Sequence, residues 1–184
     1  MIRRSLLALL VFTLIASSRA DDPPAPAPVD YNAKVAEFAR SKIGETVGTG
    51  DCATLIQAAL REAGAKVLLS PAADGEYLWG EPLKSVKDVR PGDIAQFENV
   101  TFRGKRRIIG NNGAPALILT KLSFPHHSAI VTKVGPKAKT ITLHHQNAAG
   151  PDGQPVKIVT EQTLTMSELQ KGGSLKFYRP VARE

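Results

Sequence analysis

A chain of 184 residues, 42% hydrophobic and 22% charged, has the length for one well-buried core and not for several. Its formal net charge of +7 comes with only 5% aromatic residues and no arginine-rich helix, a pattern that argues against a nucleic-acid partner. No apolar stretch reaches the roughly 20 residues a spanning helix needs, which excludes stable membrane insertion through a helix.

Residues 1–20, MIRRSLLALLVFTLIASSRA, place Arg3 and Arg4 ahead of an apolar run that ends in small residues, the layout of a secretory signal peptide. Removing these twenty of the 184 residues leaves 164, and with three arginines lost the charge falls from +7 to +4. The expected location is therefore secreted or periplasmic. Residues 21–29, DDPPAPAPV, read as an extended proline-rich tether. A single domain is expected over residues 30–184.

That domain opens with Val35, Phe38, Ala39 and Ile43 at helical spacing, with Asp30 or Asn32 as N-cap and Gly44 as the break. A second helix follows, in which Cys52, Leu55, Ile56, Ala59, Leu60 and Ala63 form one apolar stripe between Asp51 and Gly64. Asp51 reads as its cap, with the carboxylate on backbone amides. Beyond residue 65 the pattern turns to strands: Ile94–Phe97, Leu117–Leu122, Ser128–Val134, Thr140–His145, Val156–Thr160 and Leu175–Tyr178. Asn112-Gly113 marks a hairpin turn, and Met166–Gln170 a short helix after Thr165. Two helices before five or six antiparallel strands predict an α+β domain with the helices on the face of a curved sheet.

Cys52 is the only cysteine. An exported protein usually spends cysteines in pairs, so a single one at a helix start reads as a thiol kept for its reactivity. The four histidines fall in two adjacent pairs, His126-His127 and His144-His145. Neighbours on a strand point to opposite faces, so one member of each pair can share a site. Ile141, Leu143, His145 and Asn147 have one parity, which puts His145 and Asn147 together and turns His144 away. For the first pair parity does not choose between His126 and His127; His127 opens the strand itself. A thiol at a helix N-terminus, an imidazole on a strand and a polar group orienting that imidazole form the general arrangement for covalent acyl transfer.

The stretch GDCATLIQAALREAGA resembles the nucleophile helix of NlpC-type peptidoglycan endopeptidases, and RPGDIAQF resembles the PGD-plus-strand element of those enzymes and their CHAP-type amidase relatives. HHSAIVTKV is similar to the histidine strand, and ITLHHQNAAG to the CHAP strand ending in an EQN-like signature. The resemblance runs in order from Ile43 to Asn147 and implies a papain-like fold. It puts Cys52 on the nucleophile, His127 on the general base, Asn147 on the terminal asparagine and His145 where CHAP enzymes carry glutamate and NlpC-type enzymes often carry histidine. Ala53 stands where NlpC-type enzymes have serine, and ETVGTG replaces their tyrosine-containing segment.

The expected activity is a secreted, monomeric cysteine amidase or peptidase acting on peptide or peptidoglycan-like amides without a cofactor. Acyl transfer to an amine or alcohol, and a binding module that keeps the fold without activity, are the alternatives. A metal site is not expected, because adjacent strand histidines diverge and no carboxylate sits at ligand spacing. Trp79 reads as a packing residue, and Arg103 to Arg107, RGKRR, as a solvated hairpin tip.

Overall fold

The computed structural model describes residues 29–67, 78–109, 113–150 and 154–183. The signal-peptide segment, nearly all of the tether and Asn112 of the expected turn lie outside the described residues. Helix α1 spans Tyr31–Ser41, and Asp30 caps it by accepting the Ala33 N–H at 3.1 Å. Helix α2 spans Cys52–Ala63 and stops at Gly64, whose left-handed φ of 75° suits a residue without Cβ. Leu55, Ile56 and Leu60 are fully buried along its apolar stripe. Each such side chain contributes about 1.5–3 kcal/mol of burial.

The strands are β1 (Glu81–Pro82), β2 (Ile94–Ile109), β3 (Pro115–Val134), β4 (Thr140–His145), β5 (Ala148–Ala149), β6 (Pro155–Val156), β7 (Thr160–Thr165) and β8 (Ser174–Arg179). Six of them form an antiparallel sheet in the order β1-β8-β2-β3-β4-β7, and β5 pairs with β6 in a separate ribbon. The α+β class with two helices on a six-stranded sheet is thus as the sequence predicts.

Two core clusters flank the sheet. One joins α1 and α2 to Trp79, Ile94, Ile130 and Tyr178. The other, on the face away from the helices, gathers Phe97, Phe102, Phe124, Val131, Ile141, Leu143 and Phe177. Trp79 is indeed a packing residue, buried in the helix-side cluster.

The PGD element has a structural task. Asp93 is completely buried and accepts from Asn32 Nδ2 at 2.7 Å, the Arg90 N–H at 2.8 Å, and Arg179 Nε and Nη2 at 3.1 Å each. A carboxylate with that many donors is satisfied despite its burial. Gly92, at φ 88°, lets the backbone pass so close to the Asn32 carbonyl that a Cβ would collide with it. Together they lock the start of β2 onto α1.

Two expected strands prove to be one. Leu117–Leu122 and Ser128–Val134 join through Pro125 into the 20-residue β3, paired along its length with β2. The register passes over Asn99, in the left-handed region at φ 51°, and the opposing Pro125. Proline has no N–H for the ladder, and the positive φ turns the ribbon. As a result Val100, Phe102 and Phe124 join the same cluster as Phe97, although their positions are out of phase with it.

The expected strand Val156–Thr160 shifts toward the C-terminus. Only β6 and an isolated bridge from Val159 to Ile43 occupy that stretch, and the longer strand is β7, whose polar sequence TEQTLT fits an edge with one solvated face. The helix expected over Met166–Gln170 is a single 3₁₀ turn, Met166–Glu168, too short for α-helical bonding.

Candidate active site

Cys52 occupies the first turn of α2. Its thiol is partly buried, with the backbone N–H groups of Ser128, Ala53 and Cys52 close enough to favour the thiolate. Ser128 follows His127 on β3, so the helix start is seated on the strand that carries the histidine. The β3–β4 pairing ends with Ile130 opposite His144, so His127 and Ser128 lie beyond it.

His127 and His145 are both buried and share the sheet face of Ala129, Val131, Ile141 and Leu143, the face away from α1 and α2, and among the described residues no hydrogen bond joins either ring to Cys52. His127 Nε2 lies 2.9 Å from His145 Nδ1, a hydrogen bond between the rings. His127 stacks on Phe124 with centroids 5.5 Å apart, and Phe97, itself 4.7 Å from Phe124, lies 6.3 Å from the imidazole. Of the first pair, then, His127 meets His145, whereas His126 is exposed. His144 turns to the opposite face as expected, with Nδ1 3.1 Å from the Ala39 carbonyl of α1 and Nε2 3.3 Å from Glu161.

The parity argument does not extend to Asn147. The strand ends at His145, and Asn147 adopts φ 61°, its N–H donating to the Val156 carbonyl at 2.6 Å. It begins the turn into the β5–β6 ribbon instead of continuing the alternation. The carboxylate of Asp51 also departs from expectation: it makes no capping bond, accepting instead from Lys157 Nζ at 3.0 Å and Thr49 Oγ1 at 2.8 Å. Lys157, then Thr49, hold its pKa below the usual value.

Two glutamines escape the sequence reasoning. Gln146 is wholly buried and points to the helix side, where Oε1 accepts the Val47 N–H at 3.0 Å. Its Nε2 donates to the carbonyls of Val47 and Asp51, both at 2.8 Å, and reaches Thr54 Oγ1 at 3.2 Å. One side chain therefore ties the end of β4 to the loop before Cys52. The signal was present in the alternation, which sends residue 146 opposite to His145. Gln96 is the other: Oε1 accepts from Trp79 Nε1 at 2.9 Å and Ser128 Oγ at 2.6 Å, while Nε2 is a buried donor with no partner among the described residues.

Electrostatics keep the site neutral. Burial, chiefly, raises the Cys52 thiol above its ordinary value, with Asp51 adding to it, against the three N–H groups. Burial and the neighbouring rings of His145 and His126 lower His127 from 6.5 to about 3; burial and His144 lower His145 to about 4. Both imidazoles are uncharged near neutral pH. The unfolded chain takes up protons near pH 6.5 and the folded chain does not, so stability is fully present above that pH and is lost below it. Each histidine is expected to cost about 1.4 kcal/mol per pH unit between 6.5 and the folded pKa. Denaturant midpoints measured from pH 7 to 4 check this, and His127→Gln should flatten the slope.

His145 and Phe124 line an open hollow of about 300 Å³ with Ala148, Gly150, Thr160 and Glu161. Among the described residues no group of three or more His, Cys, Asp or Glu is placed to hold a metal ion.

The sequence profile of the AIM3/BBC1 cysteine proteinase-fold domain matches residues 26–184. No curated protein and no solved structure matches the chain. The profile match spans most of the chain, and the chain belongs to the AIM3/BBC1 cysteine proteinase-fold domain family, with a papain-like fold.

Proposed function

We propose that the chain is an exported cysteine amidase or peptidase of the NlpC/CHAP kind, acting on peptide amides such as those of peptidoglycan. The observation that carries this reading is the position of the Cys52 thiol at the start of α2, close to the backbone of Ser128 one residue after His127, together with the His127–His145 hydrogen bond; the reaction requires the thiol to reach His127 Nδ1. With the shared proton on His127 Nε2, Nδ1 keeps a lone pair to take the thiol proton. The sulfur then attacks the amide carbonyl, the oxyanion develops beside the N–H groups of the α2 start, and His127 returns the proton to the leaving amine. Water or an amine acceptor releases the acyl group. The starting pair is neutral thiol and neutral imidazole, so proton transfer accompanies attack instead of preceding it.

A second reading, a binding module with a silent thiol, draws on the same burial: raised thiol, lowered imidazoles and two largely enclosed rings. Acid-quenched mass spectrometry separates the two. Incubation with a panel of peptide amides and peptidoglycan fragments is expected to release amine and leave a thioester on Cys52. Release of no amine and no adduct from any of them would sink the enzymatic reading in favour of the second.

A further inference from the structure

Beyond Asn99 and Pro125 the β2–β3 hairpin leaves the sheet, since β8 pairs with β2 only as far as Glu98 and β4 pairs with β3 only from Ile130. The projecting ribbon has two distinct faces. Opposed residues share a face, so Arg103 with Lys121, Lys105 with Leu119, Arg107 with Leu117, and Ile109 with Pro115 make up one of them. Val100, Phe102 and Phe124 lie on the other and pack into the core, which turns the first face to solvent.

On that outward face Ile109 and Leu119 are each 72% exposed and Leu117 59%, the aliphatic row running beside a cationic one. From Arg103 to Ile109 the face is about 20 Å long at strand spacing. No Asp or Glu occurs anywhere from Asn99 to Gly150. Glu168, from another element, approaches Gly104, which belongs to the core-side face.

We infer that this outward face docks the protein on an anionic lipid surface, with Ile109, Leu117 and Leu119 entering the headgroup boundary and the four cations meeting lipid phosphates. Aliphatic side chains flanked by lysine and arginine on one face bind such a surface by apolar burial plus charge attraction. A soluble polyanion uses the cations and leaves the aliphatic row in water. A second copy would bring two rows of like charge together. Among the described residues no helix is long and apolar enough to cross a membrane, so the contact is peripheral.

Vesicle sedimentation of the full chain tests the inference. Binding is expected to vesicles containing phosphatidylglycerol, to be absent with phosphatidylcholine alone, and to fall as salt is raised. Leu117→Asn with Leu119→Asn, and separately Lys105→Gln with Arg107→Gln, should each weaken binding about tenfold or more. These positions are exposed, and circular dichroism should show both variants folded. Cys52→Ala should bind as the wild type does, which keeps this result independent of the thiol chemistry. Three results would overturn the inference: no binding to the anionic vesicles, undiminished binding by the aliphatic variant, or a wild-type dimer in solution that the aliphatic variant converts to monomer.

Discussion

Cys52→Ala is expected to remove amide turnover by about 10⁴-fold or more, leaving what binding and the backbone donors supply alone. On the proposed mechanism the sulfur forms the acyl bond, and the Thr49 and Thr54 hydroxyls nearby are occupied with Asp51 and Val47. Because thiol and base act as one unit, His127→Ala should cost about as much, and the double variant little more than either. That non-additivity distinguishes a working pair from two residues that merely pack. Folding should survive Cys52→Ala, since the thiol is only partly buried and the change removes few atoms. Steady-state assays together with thermal unfolding check both halves: activity lost with stability kept supports the assignment, and activity kept removes Cys52 from it.

Gln146→Ala is expected to lower stability by about 3 kcal/mol, combining an unsatisfied buried amide with a cavity. The Val47 N–H is the group most harmed, because Gln146 Oε1 is its acceptor in a site closed to water. The Val47 and Asp51 carbonyls fare better, each also accepting from Thr54 Oγ1. Gln146→Glu should be no milder: it keeps the shape but removes the donor and buries a charge among carbonyl oxygens. Activity should fall further than stability suggests, because a shift of about 1 Å at the α2 start is enough to cost about 10²-fold in rate. Chemical denaturation, read beside the turnover of the fraction still folded, separates the two effects. A Gln146→Ala protein with both quantities unchanged would show that the loop before α2 holds itself.

What the sequence disclosed follows from where its signals are local. The two helices are legible because a 3.6-residue stripe and a terminal glycine lie within a dozen residues, and His145 because its strand has apolar neighbours at a spacing of two; His127 is singled out from His126 only by its place at the opening of the strand, since that strand is apolar on both faces. The reading fails where long-range pairing overrides the local pattern. Pro125 looks like an interruption, yet β2 carries the strand past it; the VKIV run looks like a strand, yet β4 selects the polar segment after it. Asn147 goes astray because alternation says nothing about where a strand ends. Gln146 goes unread for a related reason: its partners are 92 to 99 residues away, and a lone amide carries no periodic signature.

The sheet order has a consequence for how the domain is made. Strand β8, residues Ser174–Arg179, sits between β1 and β2, so two strands made earlier wait for a segment that emerges after all the others of the sheet. Until it inserts, β1 has no partner in the sheet and β2 has an open edge over Ile94–Glu98, a template for pairing with other chains. Arg179, on the same strand, also supplies two of the hydrogen bonds to buried Asp93, which fixes the start of β2 against α1. Closure of the sheet therefore waits for β8. Helix α2 can coil long before, but β3 is held in a complete sheet only once β8 is in place.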